Sequence, residues 1–311
     1  VFGSGTSLGL DVNTSKANRT IAVTQFDPYF TTDGISRSTE LYYRTYQPLY
    51  YTGDSTYKIV QEGGNMKFGV PFSETDTVFF GIGYERTSID VSANTPLAYQ
   101  NWVTKNGRIT NNFPFTIGWS KDQRDSALVP TRGRYQQANL EIGVPGGVTY
   151  YRAYYQHQWF YPVSKSFTLA FNNEFGYGRG YGGKDFPIFK NYYAGGIGSV
   201  RGYETSTLGP RDANGIAIGG ASKIVGNVEF IFPLPGSGVD RTVRLFTFFD
   251  YGNVFAEAAQ PYKLSDMRYS TGFGLSWLSP IGPLKISMGF PIKRKAEDQT
   301  QRFQFQIGTA F

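Results

Sequence analysis

The sequence predicts an all-β fold, an antiparallel β-barrel that crosses a membrane with strands, and three observations carry that prediction. Apolar and polar residues alternate with period two through many segments, in the best of them for four or five cycles, so each strand has one greasy face. Aromatic side chains crowd that face while the other is small or polar, the inverse of a small soluble barrel, which must bury its aromatics inside. Tight and long connections alternate along the chain, as they do in barrels with one short-turn rim and one long-loop rim. The 23 Tyr, 26 Phe and 38 Gly among 311 residues fit β-structure with many turns.

The alternation marks about 14 strands, near 7–13, 19–27, 36–45, 56–70, 77–90, 112–121, 134–144, 149–160, 167–177, 223–232, 241–254, 268–277, 284–290 and 301–311. In the sixth, Phe113, Phe115, Ile117 and Trp119 oppose Thr116, Gly118 and Ser120. In the tenth, Glu229 is opposite in face to Val228, Phe230 and Phe232; in the eleventh, Asp250 is opposite to Val243, Leu245, Thr247 and Phe249, so both carboxylates point inward. Tyr269, Thr271, Phe273, Leu275 and Trp277 then oppose Ser270, Gly272, Gly274 and Ser276, and Leu284, Ile286, Met288 and Phe290 oppose Lys285, Ser287 and Gly289. The last strand sets Phe303, Phe305, Ile307, Thr309 and Phe311 against Gln304, Gln306, Gly308 and Ala310. Pro71 to Asp76, Pro162 to Ser166 and Leu278 to Pro283 are tight connections, whereas 91–111, 178–222 and 291–300 are long or irregular. Outer-membrane topology puts the tight side, and with it the C-terminus, in the periplasm. A soluble β-sandwich also alternates, but its aromatic faces would have to meet in a core, and no second layer is evident.

Other classes fall away on chemistry. No apolar run approaches the roughly 18 residues of a transmembrane helix, and the negative mean hydropathy is no argument against a wall that is greasy on one face only. The absence of cysteine excludes a disulfide framework and thiolate metal sites. The formal charge of +6 is scattered without a basic patch, which speaks against nucleic acid and leaves lipid head groups as acidic partners. His157, the single histidine, stands among Tyr155, Trp159 and Tyr161 and reads as part of an aromatic belt; one imidazole cannot make a His-rich metal site. No Ser, His and Asp are placed to cooperate, so no enzyme, cofactor or metal is expected. Gly178 to Gly183 satisfies G-x-G-x-x-G in letter, but no helix follows to face a pyrophosphate, and a loop base explains the glycines.

The longest connection contains Tyr192-Tyr193-Ala194-Gly195-Gly196, then Val200-Arg201-Gly202-Tyr203, then Thr207-Leu208-Gly209-Pro210. It resembles the sixth extracellular loop of the BamA family, which folds back into the barrel lumen and carries a Val-Arg-Gly-Phe/Tyr motif. Asp27 to Phe30, Phe249 to Val254, Leu278 to Leu284 and the terminus Arg302 to Phe311 agree with that family in order. The resemblance implies a sixteen-stranded parent barrel behind periplasmic POTRA domains, and Phe2 to Thr6 looks like the turn between the family's second and third strands. The 311 residues are therefore expected to be one barrel domain, incomplete on its N-terminal side, with a lumenal loop near 178–222. The resemblance also implies that Arg201 pairs with Glu229 and Asp250, with Phe248 beside them, and that Arg302, Phe303, Phe305, Ile307, Gly308 and Phe311 belong to one side of a lateral gate. A poorly satisfied strand edge there can template another strand by main-chain hydrogen bonding.

The implied function is a scaffold in the bacterial outer membrane that folds and inserts other barrels, with unfolded barrel clients, membrane lipids and accessory lipoproteins as partners. Two other classes stay open at this stage. A two-partner-secretion or porin-like transport barrel should conduct steadily unless loop 178–222 plugs it, and a receptor or adhesin would act through its long loops.

Overall fold

The computed structural model describes residues 5–14, 18–47, 57–236, 242–256, 262–280 and 282–308. In chain order the strands are β1 (Ser7–Thr14), β2 (Asn18–Asp27), β3 (Ser36–Tyr46), β4 (Tyr57–Pro71) and β5 (Asp76–Val91). A helix, α1 (Leu97–Asn106), precedes β6 (Ile109–Asn112), β7 (Pro114–Asp122), β8 (Gly133–Gly143), β9 (Tyr150–Pro162) and β10 (Thr168–Gly180). The long connection holds a 3-10 turn at Ile188–Lys190 and the two-residue β11 (Gly202–Tyr203). There follow β12 (Ser222–Pro233), β13 (Val243–Phe255), β14 (Arg268–Ser279), β15 (Gly282–Lys293), β16 (Thr300–Gln301) and β17 (Phe303–Ile307).

The wall is one antiparallel sheet in which each long strand pairs with the next in sequence, running from β1 to β17, with β6 as a spur on β5. Sequential pairing is what short hairpin connections dictate. Faces follow the alternation. Leu41, Phe273, Phe303 and Phe305 point out and are 63%, 56%, 54% and 64% exposed, while Asp250, Ser270, Ser287 and Gln304 on the other face are buried. Aromatic rings meet across neighbouring strands on the outer side, Phe167 against Phe230, Trp159 against Phe171 and Phe273 against Phe290, each pair adding about 0.2–1 kcal/mol to the pairing.

The structure adds three features that alternation does not report. The stretch 91–111, expected to be irregular, contains α1, whose Tyr99 and Trp102 pack with Tyr57, Ile59, Ile89 and Ile188. Its apolar residues recur at helical spacing, and Gly107 ends it at φ +85°, a left-handed conformation in which glycine is at ease. The expected strand at 112–121 is split at Phe113 into β6, bonded to β5, and β7, which continues the wall. Among the described residues the last strand is in register with β15 from Phe303 to Ile307, with the Arg302 carbonyl accepting from the Gly289 N–H just before it and the Gly308 N–H donating to the Pro283 carbonyl just after. Phe2 to Ser4 and Thr309 to Phe311 lie outside the described residues. β1 and β17 end the sheet, each paired on one side only among the described residues.

Candidate functional site

The connection between β10 and β12 does not run over the surface but enters the barrel, and ionic contacts at two places fasten it to the wall. Its tip carries Val200-Arg201-Gly202-Tyr203, all of them buried. The Arg201 guanidinium donates from Nε to Asp250 Oδ2 at 2.7 Å and from Nη2 to Asp250 Oδ1 at 2.6 Å, a bidentate fork. Its backbone N–H donates to the same carboxylate at 2.9 Å, and Nη1 donates to Glu229. Phe248 lies under the guanidinium, 3.7 Å from Cζ to the ring centroid, and Lys285 supplies a second cation to Glu229 at 2.9 Å. Arg201 and Asp250 are 1% and 0% exposed. Register explains the meeting: Glu229 stands opposite Phe248, and Asn227 opposite Asp250, on the inward faces of β12 and β13.

Beyond the arginine, the motif reaches the end of the sheet. Gly202 and Tyr203 pair with Gln301 and Thr300 as β11 and β16. Gln304 Nε2 of β17 donates to the Tyr203 carbonyl at 2.7 Å, and its Oε1 faces the Gly202 N–H at 3.4 Å. The Tyr203 hydroxyl donates to the Tyr269 carbonyl at 3.2 Å and also bonds the Lys293 carbonyl. This approach requires glycine twice. Gly202 has φ +86°, and a Cβ on Gly289 would lie 2.6 Å from the Gly202 nitrogen. Arg302 accepts from Gly289, Phe303, Phe305 and Ile307 face outward along β15, Gly308 bonds the Pro283 carbonyl, and Phe311 lies outside the described residues.

The second anchor was not legible in the sequence. Lys190, at the 3-10 turn, sits 3.0 Å from Glu85 on β5 and 3.2 Å from Glu141 on β8. Tyr42 donates to Glu85, Tyr150 donates to Glu141, and Asn112 donates to the Tyr150 hydroxyl at 2.8 Å. Burial pulls the Lys190 pKa down, and the two carboxylates more than offset this and hold it above the ordinary lysine range. Helix α1 backs this anchor, with the Tyr99 hydroxyl 3.0 Å from that of Tyr193 and Trp102 edge-on to Phe189. Glu85 and Glu141 carry the signal that singled out Glu229, a carboxylate on the small-residue face of a strand. The partner on the loop has no such periodicity. His157 lies on the outer wall of β9, away from the loop, in register between Gln136 and Asn173. No cluster of three metal-ligating side chains occurs among the described residues.

A long-stranded antiparallel wall with an aromatic exterior and an arginine-fastened loop in its interior defines a transmembrane β-barrel with a lumenal loop. The chain belongs to the Omp85 superfamily, whose domain matches residues 1–311. It is 38% identical to the outer membrane protein assembly factor BamA of Neisseria meningitidis serogroup B, an alignment covering 100% of this chain and 44% of that protein. It is 27% identical to the BamA of Nitratidesulfovibrio vulgaris over 80% of this chain and 32% of the relative. The chain thus spans less than half the length of these relatives. Among solved structures, BamA from Haemophilus ducreyi lacking POTRA domains 1–3 superposes with a TM-score of 0.88 at 25% identity, covering 97% of this chain and 64% of that one. CdiB from Acinetobacter baumannii shares the fold at a TM-score of 0.57 and 11% identity, over 93% of this chain and 49% of that one.

Proposed function

We propose that this chain is the membrane wall of an assembly scaffold that accepts unfolded β-barrel clients and releases them into the bacterial outer membrane, with its C-terminus on the periplasmic side. The observation that carries the reading is the condition of β17: five bonded residues on β15, an unpaired outer edge among the described residues, and a lumenal loop gripping its start through Gln304 and β16. An edge with free N–H and C=O groups templates a client strand by main-chain hydrogen bonding, and a client that pairs there enters lipid without leaving its backbone unsatisfied. In this reading Arg302, Phe303, Phe305, Ile307 and Gly308 form one side of a lateral gate, and Val200 to Tyr203 with Glu229, Asp250 and Phe248 set its position from inside. No covalent chemistry is required, since pairing energy drives the exchange. Periplasmic POTRA domains belong to the same proposal, supported by the Haemophilus ducreyi BamA, a protein with such domains, and accessory lipoproteins belong to it through the family resemblance of the loop motif alone. The transport alternative is less favoured, because the likeness to CdiB is one of fold at 11% identity.

The test is site-specific photo-crosslinking in the full-length protein during client synthesis. Probes at Phe303, Phe305 and Ile307 are expected to capture several client barrels, while probes at Ile117 and Trp119 on β7 are not. Equal capture at both places would remove the gate from the account.

A further inference from the structure

The outer wall carries a polar row where lipid should meet only apolar groups. On β8, β9 and β10 the outward side chains Gln136, His157 and Asn173 stand in register beside one another, and the row continues past Gly226 of β12 to Tyr251 of β13. Aromatic residues flank it on the same face, Trp159 and Phe171 toward the tight turns, Tyr155 and Phe175 toward the long loops. The Tyr251 hydroxyl donates to Asn173 Oδ1 at 2.8 Å, and Gln136 Nε2 donates to the Tyr155 hydroxyl at 3.2 Å. His157 Nε2 is buried without a hydrogen-bond partner, while the residue as a whole is half-buried; a half-turn of the ring about Cβ–Cγ exchanges its nitrogen and carbon edges. Polar groups facing hydrocarbon are costly unless something satisfies them, and an ionisable one marks a site by default.

The neighbouring rows show what satisfies these. One step toward the tight turns, Arg134 lies exposed over the Trp159 ring at 5.0 Å, a cation at the aromatic belt. The polar row sits two residues further in, about 5 Å deeper for a strand tilted near 40°. Deeper again, the small side chains of Ala138 and Ala153 leave a groove of about 690 Å³ walled by Ile117, Trp119, Phe175 and Tyr177. Cation, hydrogen-bonding row and apolar groove thus follow one another along the strands in the order phosphate, ester, hydrocarbon.

We propose that this surface binds one glycerophospholipid of the leaflet on the tight-turn side. Its phosphate pairs with Arg134, its ester carbonyls accept from Asn173 Nδ2 and the His157 ring, and one acyl chain fills the groove over Ala138 and Ala153. The site lies on the wall formed by β7 to β13, away from the β1 and β17 edges, and is independent of the assembly reading.

The test is native mass spectrometry of the full-length protein in detergent, titrated with dioleoyl phosphatidylglycerol. Ala153→Trp fills the groove and Arg134→Gln removes the cation, both on a lipid-facing surface where the fold tolerates them; heat-modifiable mobility verifies folding. Each is expected to lower occupancy of a single retained lipid about tenfold, whereas Thr271→Val on the β14 wall leaves it unchanged. Dioleoylglycerol, which lacks the phosphate, should bind the parent as weakly as phosphatidylglycerol binds Arg134→Gln. Equal phosphatidylglycerol retention by the parent and both variants would overturn the site, as would a photo-crosslinker at Tyr177, an aromatic position on the groove's rim, that captures a protein in place of lipid.

Discussion

Replacing Arg201 by alanine removes a cation that serves two carboxylates of unequal exposure, and the inequality sets the magnitude. Asp250 is 0% exposed, and both of its oxygens bond Arg201, so Arg201→Ala leaves it only the backbone N–H of residue 201. Glu229 keeps Lys285 and has a side chain 15% exposed, so it suffers less. Breaking a buried pair from one side costs about 3–5 kcal/mol, of which lumenal water reclaims part on the Glu229 side; the Asp250 side sets the larger share. Arg201→Lys offers a point charge where a planar fork bridged two acceptors, and is expected to recover less than half of the loss. In a double-mutant cycle read by urea midpoints of heat-modifiable mobility and by protease cleavage within 181–221, Arg201→Ala should couple to Asp250→Ala by about 2–3 kcal/mol and to Glu229→Ala by about 1 kcal/mol. Additive losses in both cycles, within about 0.5 kcal/mol, would mean that the three side chains contribute independently and that the pairing does not hold the loop.

The second anchor predicts that Lys190→Met exposes 181–221 to protease while leaving the strands folded. Because the Lys190 pKa is raised, its contribution is complete below the unfolded value of about 10.4 and is lost only as pH climbs through the higher folded one. Loop protection should therefore be flat from pH 7 to about 9.5, and a drop within that window would count against the anchor. Gly202→Ala places a Cβ 3.1 Å from the Gly289 carbonyl carbon at φ +86°, and should cost about 1–3 kcal/mol with protease exposure near the motif; unchanged cleavage would show that the close approach is not needed. Phe273→Lys should lower barrel stability by about 2–4 kcal/mol, with Phe305→Lys costing less beside an unpaired edge. Wild-type urea midpoints for both would show the faces to be misassigned.

What the sequence discloses and what it hides divide along periodicity. The long strands and their faces are legible because an outward ring at every second residue is a local signal, and the same signal turns Glu229 and Asp250 inward. The loop's resemblance then supplies Arg201, since no local pattern says which cation meets which carboxylate. α1 is harder to see because Tyr99 and Trp102 are three apart in a segment too short for a strong helical period. Lys190 is hidden for another reason: its carboxylates lie 105 and 49 positions away on β5 and β8, and only the loop's entry into the curved wall brings them together. The Gln304 clasp is hidden likewise, as a polar residue on an inward face resembles any other until the loop arrives beside it. Alternation turns His157 outward among Trp159 and Tyr155, but the row it forms with Gln136 and Asn173 depends on register across three strands.

Whether this barrel assembles other barrels is decided by depleting the full-length protein from growing cells and measuring outer-membrane barrels of many sizes by quantitative proteomics. Unrelated barrels are expected to fall together, before other outer-membrane components, and re-expressed wild-type protein to restore them while the Arg201→Ala variant restores them only partly. Unchanged levels of other barrels, with one secreted substrate or one permeating solute affected instead, would contradict it.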